Sequence, residues 1–234
     1  MTDAGVTATY TWNARNQLTG ISTTGFAASF SYDSFGRRTG KTVQGVVTNF
    51  VYDGPNPVQE KAGAVVTANL ITGLGIDEFF QRTDGVGARA LLPDALGSTV
   101  ALGDSTGTLQ TQYTYEPFGY ETQTGLASTN SYKYTGREDD GSGLDYYRAR
   151  YYHPRLQRFI SEDPIGFGSR DVNFYAYVGN NPIDLIDPLG LSHSFSDCFI
   201  RCAASHYGIS GGLLRAIVGI NAIPIPKSGL GSPI

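Results

Sequence analysis

Cysteine is nearly missing from this chain. Its 234 residues hold two, Cys198 and Cys202, and none precedes Cys198. Two cysteines make no disulfide framework, which excludes the stapled design of small cysteine-rich domains. Charge is scarce too: 16% of residues are charged, against roughly 25% in ordinary soluble domains. The net charge is −4, so no basic footprint for nucleic acid is present. No apolar run reaches the length of a membrane-spanning helix. The opening, MTDAGVTATYTW, has neither a basic n-region nor an apolar h-region and does not read as a signal peptide.

What the chain does have is Gly, Thr, Ser and Tyr, the composition of strands and tight turns. It also has a repeat. Tyr10-Thr11-Trp12-Asn13 is echoed by Phe30-Ser31-Tyr32-Asp33 and by Phe50-Val51-Tyr52-Asp53, with 20 residues from Trp12 to Tyr32 and 20 more to Tyr52. Gly20 and Gly40, and Gly25 and Gly45, keep the same period. A looser copy is Tyr113-Thr114-Tyr115-Glu116, and Tyr132-Lys133-Tyr134 is a weak last one. An aromatic-x-aromatic strand puts both rings on one face. The aspartate then starts a turn by accepting backbone N–H groups, and glycine permits the next reversal. One unit is therefore about one hairpin, and neighbouring units must stack to bury their rings.

This predicts a mainly β, antiparallel chain with strands near 7–12, 28–33, 47–53, 111–116 and 131–135, and little helix before Ser192. Residues 73–112 break the strict period but read as further strand–turn units, with Asp94 and Asp104 as turn residues. Residues 121–131, poor in apolar side chains, read as a surface loop. The domain division expected is a β strip over 1–112, a closing domain over 113–191 and a tail over 192–234.

The stretch Leu144–Leu191 concentrates aromatics, arginines, two Asp-Pro pairs and Asn180-Asn181-Pro182. RARYYHPRLQRF is too rich in arginine for a buried strand unless carboxylates meet it, and Asp139, Asp140, Asp145, Glu162 and Asp163 are the near candidates. For Arg148, Arg155 and Arg158 individually, solvated surface charge and pairing with a carboxylate are readings of about equal weight. At Ser192 the composition changes. Phe195–Ser205 reads as one short helix. His193, Cys198, Cys202 and His206 include a C-x3-C-x3-H spacing, for which buried cysteines on an amphipathic face are the simpler reading than a metal site. A tail of this size lacks a core of its own, so it is expected to pack against apolar surface inside the scaffold or to stay partly disordered.

The repeats and the closing stretch resemble the rearrangement-hotspot (Rhs) family, whose units are called YD repeats. The residues that carry the resemblance are Tyr32-Asp33, Tyr52-Asp53, Arg148-Ala149-Arg150-Tyr151-Tyr152, Arg158-Phe159-Ile160-Ser161, Asp163-Pro164-Ile165-Gly166, Asn173-Phe174-Tyr175-Ala176-Tyr177, Asn180-Asn181-Pro182 and Asp187-Pro188-Leu189-Gly190-Leu191. The resemblance covers roughly residues 7–191. It implies a strip of hairpins that spirals into a hollow β-shell, closed by a core-domain plug. In toxin-delivering relatives that plug is an aspartyl autoprotease that cuts after Asp-Pro-x-Gly-Leu. By motif, Asp163 and Asp187 match the two catalytic aspartates and Arg150 the arginine of that site, with Leu191–Ser192 as the bond cut. His153 and Gln157 depart from the family, which usually has aspartate and glycine there.

The chemistry is consistent with the residues. Amide hydrolysis by carboxylates needs one ionised group to activate water and one protonated group to donate. Without the resemblance, Asp163 and Asp187 read as starters of Asp-Pro turns rather than as a catalytic pair. The function expected is encapsulation and release of a C-terminal polypeptide by self-cleavage in a bacterial, secreted or cell-surface protein. The expected partners are its own tail as cargo and further shell repeats or a secretion-system component, with no cofactor, metal or nucleic acid and no membrane role for the scaffold. The alternatives are a non-enzymatic recognition module, as in teneurins, and a degenerate fragment.

Overall fold

Alternation of period two, interrupted by turn residues, builds an antiparallel meander. The computed structural model describes residues 2–3, 6–169, 171–191 and 194–195. Strands β1 (Thr2–Asp3) and β2 (Val6–Thr7) form a small hairpin. A single sheet follows: β3 (Thr9–Trp12), β4 (Leu18–Thr23), β5 (Phe26–Tyr32), β6 (Arg38–Val43), β7 (Val46–Asp53), β8 (Asn56–Ala62), β9 (Val65–Thr72), β10 (Phe79–Asp84), β11 (Gly87–Pro93), β12 (Thr99–Gly103), β13 (Leu109–Tyr115) and β14 (Glu121–Gly125). All 12 strands lie in sequence order, each paired antiparallel with its neighbour. The sheet crosses residue 112 within β13 and continues into β14.

The repeat has a structural explanation at each tyrosine. Strand register slips by a bulge between Thr11 and Trp12, Ser31 and Tyr32, and Val51 and Tyr52. Tyr32 then donates its hydroxyl to the Leu18 carbonyl at 2.6 Å, Tyr52 to Arg38 at 2.8 Å and Tyr115 to Thr99 at 2.7 Å. Each acceptor is the first residue of the preceding strand, so each tyrosine ties its strand to the one before. A phenylalanine there would leave that carbonyl without the bond. Beyond the aromatic residue, Asp33 Oδ1 accepts the N–H groups of Phe35 and Arg37, both at 2.9 Å. Asn13, Asp94 and Asp104 make the same pair of bonds to the second and fourth residues on. Asp53 differs, because only Gly54 and Pro55 join β7 to β8.

Two expected features are corrected. Residues 121–125 form an edge strand rather than loop, with five pairs to β13. Most of its side chains are exposed, so no apolar alternation marks it. Residues 131–135 are not a strand. Tyr132 makes one isolated bridge to Glu138, and Thr135 then turns the chain at φ 47°. The aromatic spacing survives there without a hairpin partner.

The segment after β14 packs on one face of the strip. It contains β15 (Glu138–Asp139), β16 (Asp145–Tyr147), β17 (Arg150–His153) and β18 (Arg158–Phe159) in a second antiparallel sheet, and β19 (Leu185–Ile186) pairs with β20 (Ser194–Phe195). Helix among the described residues is confined to four short 3-10 turns, and no helix there is long and apolar enough to cross a membrane. Leu18, Ile21, Ala28 and Phe30 of the strip pack against Leu144, Tyr146 and Tyr151. Leu70, Phe79, Leu91, Leu102 and Tyr113 close on Tyr132. Tyr134, Tyr147, Tyr152, Phe159, Tyr177 and Val178 form an aromatic centre within the closing segment. Burial of each large side chain contributes on the order of 1.5–3 kcal/mol. Val51, Ile71 and Leu92, on the strip's other face, stay exposed.

Gln157 caps a 3-10 turn at φ 57°, ψ 34°, the left-handed region that glycine occupies without strain. The turn is retained despite the side chain. His153 is buried and pairs with Arg158 across β17 and β18. Cys198, Cys202, His193, His206 and the expected helix beyond Phe195 lie outside the described residues, as does the expected packing of the tail; Phe195 itself ends β20.

Candidate active site

The hairpin of β16 and β17 turns on two residues, Arg148 and Ala149, because Tyr147 pairs with Arg150. This sets Arg150 at the start of β17, buried, with its guanidinium carbon 3.7 Å from the centre of the Phe159 ring. Its Nη2 lies 3.1 Å from Asp163 Oδ2 and 3.3 Å from Asp187 Oδ2. Both carboxylate oxygens are thus bound to one nitrogen and lie closer together than twice the longer distance. The fold brings together three positions that span Arg150 to Asp187 in the chain. The remaining bonds of Arg150 go to backbone: Nε donates to the Gly190 carbonyl at 2.6 Å and Nη1 to the Phe174 carbonyl at 3.1 Å.

Each aspartate also starts a turn. Asp163 Oδ1 accepts the Ile165 N–H at 3.0 Å, and Asp187 Oδ1 accepts the Leu191 N–H at 3.0 Å. Turn and site are therefore not alternatives: one oxygen shapes the loop while the other faces Arg150. Leu191 is held next to the pair, and Ser192 lies outside the described residues. The Leu189 carbonyl accepts the Ala149 N–H at 3.1 Å, so the segment before Leu191 runs along the β16–β17 turn. Gly190 has φ +67°, and a Cβ there would lie 2.2 Å from the Tyr147 carbonyl oxygen, so this approach requires glycine.

The side chains of Arg150, Asp163 and Asp187 are 3%, 4% and 2% exposed. Burial lowers the Arg150 pKa, and Asp187 and Asp163 oppose that. One guanidinium faces two carboxyl groups. Beside them is a cavity of about 20 Å3 lined by Arg150, Asp163, Asp187 and Leu191 among others. That is room for one water molecule. Among the described residues no cluster of His, Cys, Asp and Glu is suited to a metal ion.

Arg148 is no solvated surface charge. Its guanidinium grips Asp77, with Nη2 2.7 Å from Oδ1 and Nη1 2.9 Å from Oδ2, and Arg137 Nη1 binds the same Oδ2 at 2.8 Å. Burial pushes the Asp77 carboxyl up to about 7 while Arg137 pulls it down, and the two-point contact with Arg148 adds to that pull. Of the carboxylates expected to meet the arginines of this stretch, only Asp163 does so in these contacts. Asp139 binds Lys133 at 2.8 Å, Asp140 binds Arg38 and Lys41, and Glu162 accepts the Tyr175 hydroxyl. No spacing in the sequence points to Asp77, which is 71 residues from Arg148. Phe159, whose ring carries Arg150, has a signal only in the Arg158-Phe159-Ile160-Ser161 match.

The chain is 40% identical over 104 residues to the tRNA nuclease WapA of Bacillus subtilis, a match covering 42% of this chain and 4% of WapA. It is 40% identical over 105 residues to the toxin subunit YenC1 of Yersinia entomophaga, covering 43% of this chain and 11% of YenC1. In the crystal structure of TcdB2-TccC3-Cdc42, one chain superposes with a TM-score of 0.64 at 25% identity, over 79% of this chain and 10% of that one. These matches support an Rhs-type, YD-repeat family for this chain. Its meander is a strip of the Rhs β-shell. No family model matches the chain. The Rhs-type chain spans only about a tenth or less of the relatives and the solved chain it matches.

Proposed function

We propose that this chain is the closing end of an Rhs-type shell that holds a C-terminal polypeptide and frees it by cutting its own Leu191–Ser192 bond. The observation that carries the proposal is the single Arg150 nitrogen shared by Asp163 and Asp187, with Leu191 hydrogen-bonded to Asp187. In the reaction proposed, the ionised aspartate takes a proton from a water in the adjoining cavity. The resulting hydroxide adds to the Leu191 carbonyl carbon. The protonated aspartate then gives its proton to the Ser192 nitrogen as the C–N bond breaks. The products are a Leu191 carboxyl terminus and a free Ser192 amine. Because the bond belongs to the same chain, no diffusive encounter is needed.

The closing segment would act as the plug, and residues from Ser192 onward as the cargo. The names of the relatives, a tRNA nuclease and a toxin subunit, support a bacterial toxin role. Further shell repeats or a delivery component would complete the assembly. Intact mass measurement of the purified chain tests the proposal. Two fragments meeting at Leu191 and Ser192 are expected, with Asp163→Asn staying whole. A parent chain that stays whole across pH 4–9 would overturn it.

A further inference from the structure

One group of buried charges next to the segment proposed to be cut has no part in the chemistry above. Asp77 lies in the loop between β9 and β10 at φ 63° and is 7% exposed at its side chain. Its N–H donates to Asn56 Oδ1 at 2.8 Å, and Asn56 Nδ2 donates to the Gly75 carbonyl at 2.7 Å. The loop is thereby fastened to the turn that opens β8. Arg148 Nη2 adds a bond to the Pro55 carbonyl in that turn at 3.1 Å. Gly136 lets the neighbouring turn approach, since a Cβ there would lie 2.8 Å from the Asp77 carbonyl oxygen.

The two arginines on Asp77 share a second acceptor. Arg137 Nη1 donates to the Pro188 carbonyl at 3.1 Å, and Arg148 Nη1 donates to the same oxygen. Two guanidinium nitrogens thus bridge one carboxylate oxygen of the strip and one backbone oxygen three residues before the proposed cut. Arg148 keeps this place in a left-handed conformation, φ 55°, that L-residues adopt at a cost in stability. The next carbonyls are held in series: Leu189 by the Ala149 N–H and Gly190 by Arg150 Nε.

We infer that Asp77, Arg137 and Arg148 are positioning residues that clamp the Pro188 carbonyl and so fix the register of the segment delivered to Asp163 and Asp187. The inference rests on the self-cleavage reading. It makes the strip itself a part of the site, because cleavage then requires the β9–β10 loop to be in place. A misplacement of about 1 Å in a reacting segment costs on the order of 100-fold in rate.

The test has two arms, both at pH 8 on the full chain. The first uses Asp163→Asn as an uncut background and follows amide exchange by NMR. Adding Arg148→Asn, which suits a left-handed residue while removing the guanidinium, is expected to speed exchange at Ala149, Gly190 and Leu191 at least tenfold. Amides of β6 should not change, which reports an intact fold. The second arm uses the cutting chain. Arg148→Asn should slow cleavage at least tenfold with an unmoved pH optimum, and Arg148→Lys should recover part of the loss. Exchange within twofold of the background overturns the clamp, whether or not the chain cuts. Faster exchange with an unchanged cleavage rate overturns the positioning role. If the parent never cuts, the cleavage reading fails and the positioning role with it, and the exchange arm still tells whether the Pro188 hold exists.

Discussion

Arg38 and Arg150 are both buried, and each meets two carboxyl groups. Arg38, on β6, binds Asp140 through both Nη1 and Nη2 and Glu138 through Nη2, and Lys41 Nζ adds a second cation 2.7 Å from Asp140. Its guanidinium carbon lies 4.2 Å from the centre of the Tyr146 ring. Two cations face two acids, so the cluster is balanced and rivets the closing segment to the strip. Burial pushes the Asp140 carboxyl up, but Arg38 and Lys41 outweigh it and hold the carboxyl below 3.8. Arg150 offers one nitrogen to both Asp163 and Asp187. The same residue types therefore make a rivet at Arg38 and, at Arg150, the arrangement proposed above to carry the cleavage. Asp77, with two arginines, is the reverse imbalance, and its surplus positive charge falls on a backbone carbonyl.

Removing an acid separates the clusters most sharply. Asp163→Asn or Asp187→Asn should cut the self-cleavage rate by a factor of about 100 or more, because each removes a group that the proposed reaction uses for proton transfer. Neither should cost much stability, since one cation still faces one acid. Time courses of intact mass, together with urea melts, would show both. Asp140→Asn should do the opposite. It leaves Arg38 and Lys41 facing Glu138 alone and should destabilise the fold by about 3–5 kcal/mol, with cleavage unchanged in the folded fraction. Equal losses of cleavage in both sets would erase the distinction drawn here.

Arg150→Ala comes next in size. It should slow cleavage about tenfold or more and move the optimum to higher pH, because loss of the cation disfavours the ionised partner. A pH–rate profile measures it, and an unmoved optimum would show that Arg150 only holds the Gly190 carbonyl.

The smallest effect concerns acid and alkali. Asp140 has a depressed pKa, so its contribution is present above 3.8 and is lost as pH falls through its folded value. Asp145 is the contrasting case. It is buried, one of its carboxylate oxygens has no hydrogen-bond partner, and burial first, then Asp139 and Glu121, push it well above 3.8. Its neutral form is favoured by folding, so its contribution is present below 3.8 and lost as pH rises toward its folded value. Asp145→Asn should then stabilise the protein at pH 7 by about 1 kcal/mol and flatten the decline on that side. Chemical denaturation at pH 5 and pH 8 would detect the change, and a loss of stability at pH 8 would contradict it.

Much of the strip was legible because its signals are local. Alternation, a recurring Tyr-Asp and spaced glycines each act within one hairpin, and β3, β5, β7 and β13 fall where those signals lie. The edge strand β14 was not legible, because its mostly exposed side chains leave no apolar pattern. Nor was the turn at 133–137, where an aromatic spacing made for hairpins is put to another use.

For the candidate site, Arg150, Asp163 and Asp187 could be named only through a resemblance; residue chemistry alone read both aspartates as turn starters. Their convergence on one nitrogen, and the grip of Asp77 on Arg148 from 71 residues away, belong to the tertiary structure. The amino-acid sequence by itself determined which segments pair with their neighbours, since strand pairing here is nearest-neighbour and set by short-range pattern. Only folding decided which buried charges balance and which are left in excess, because that depends on distances between elements that no spacing along the chain encodes.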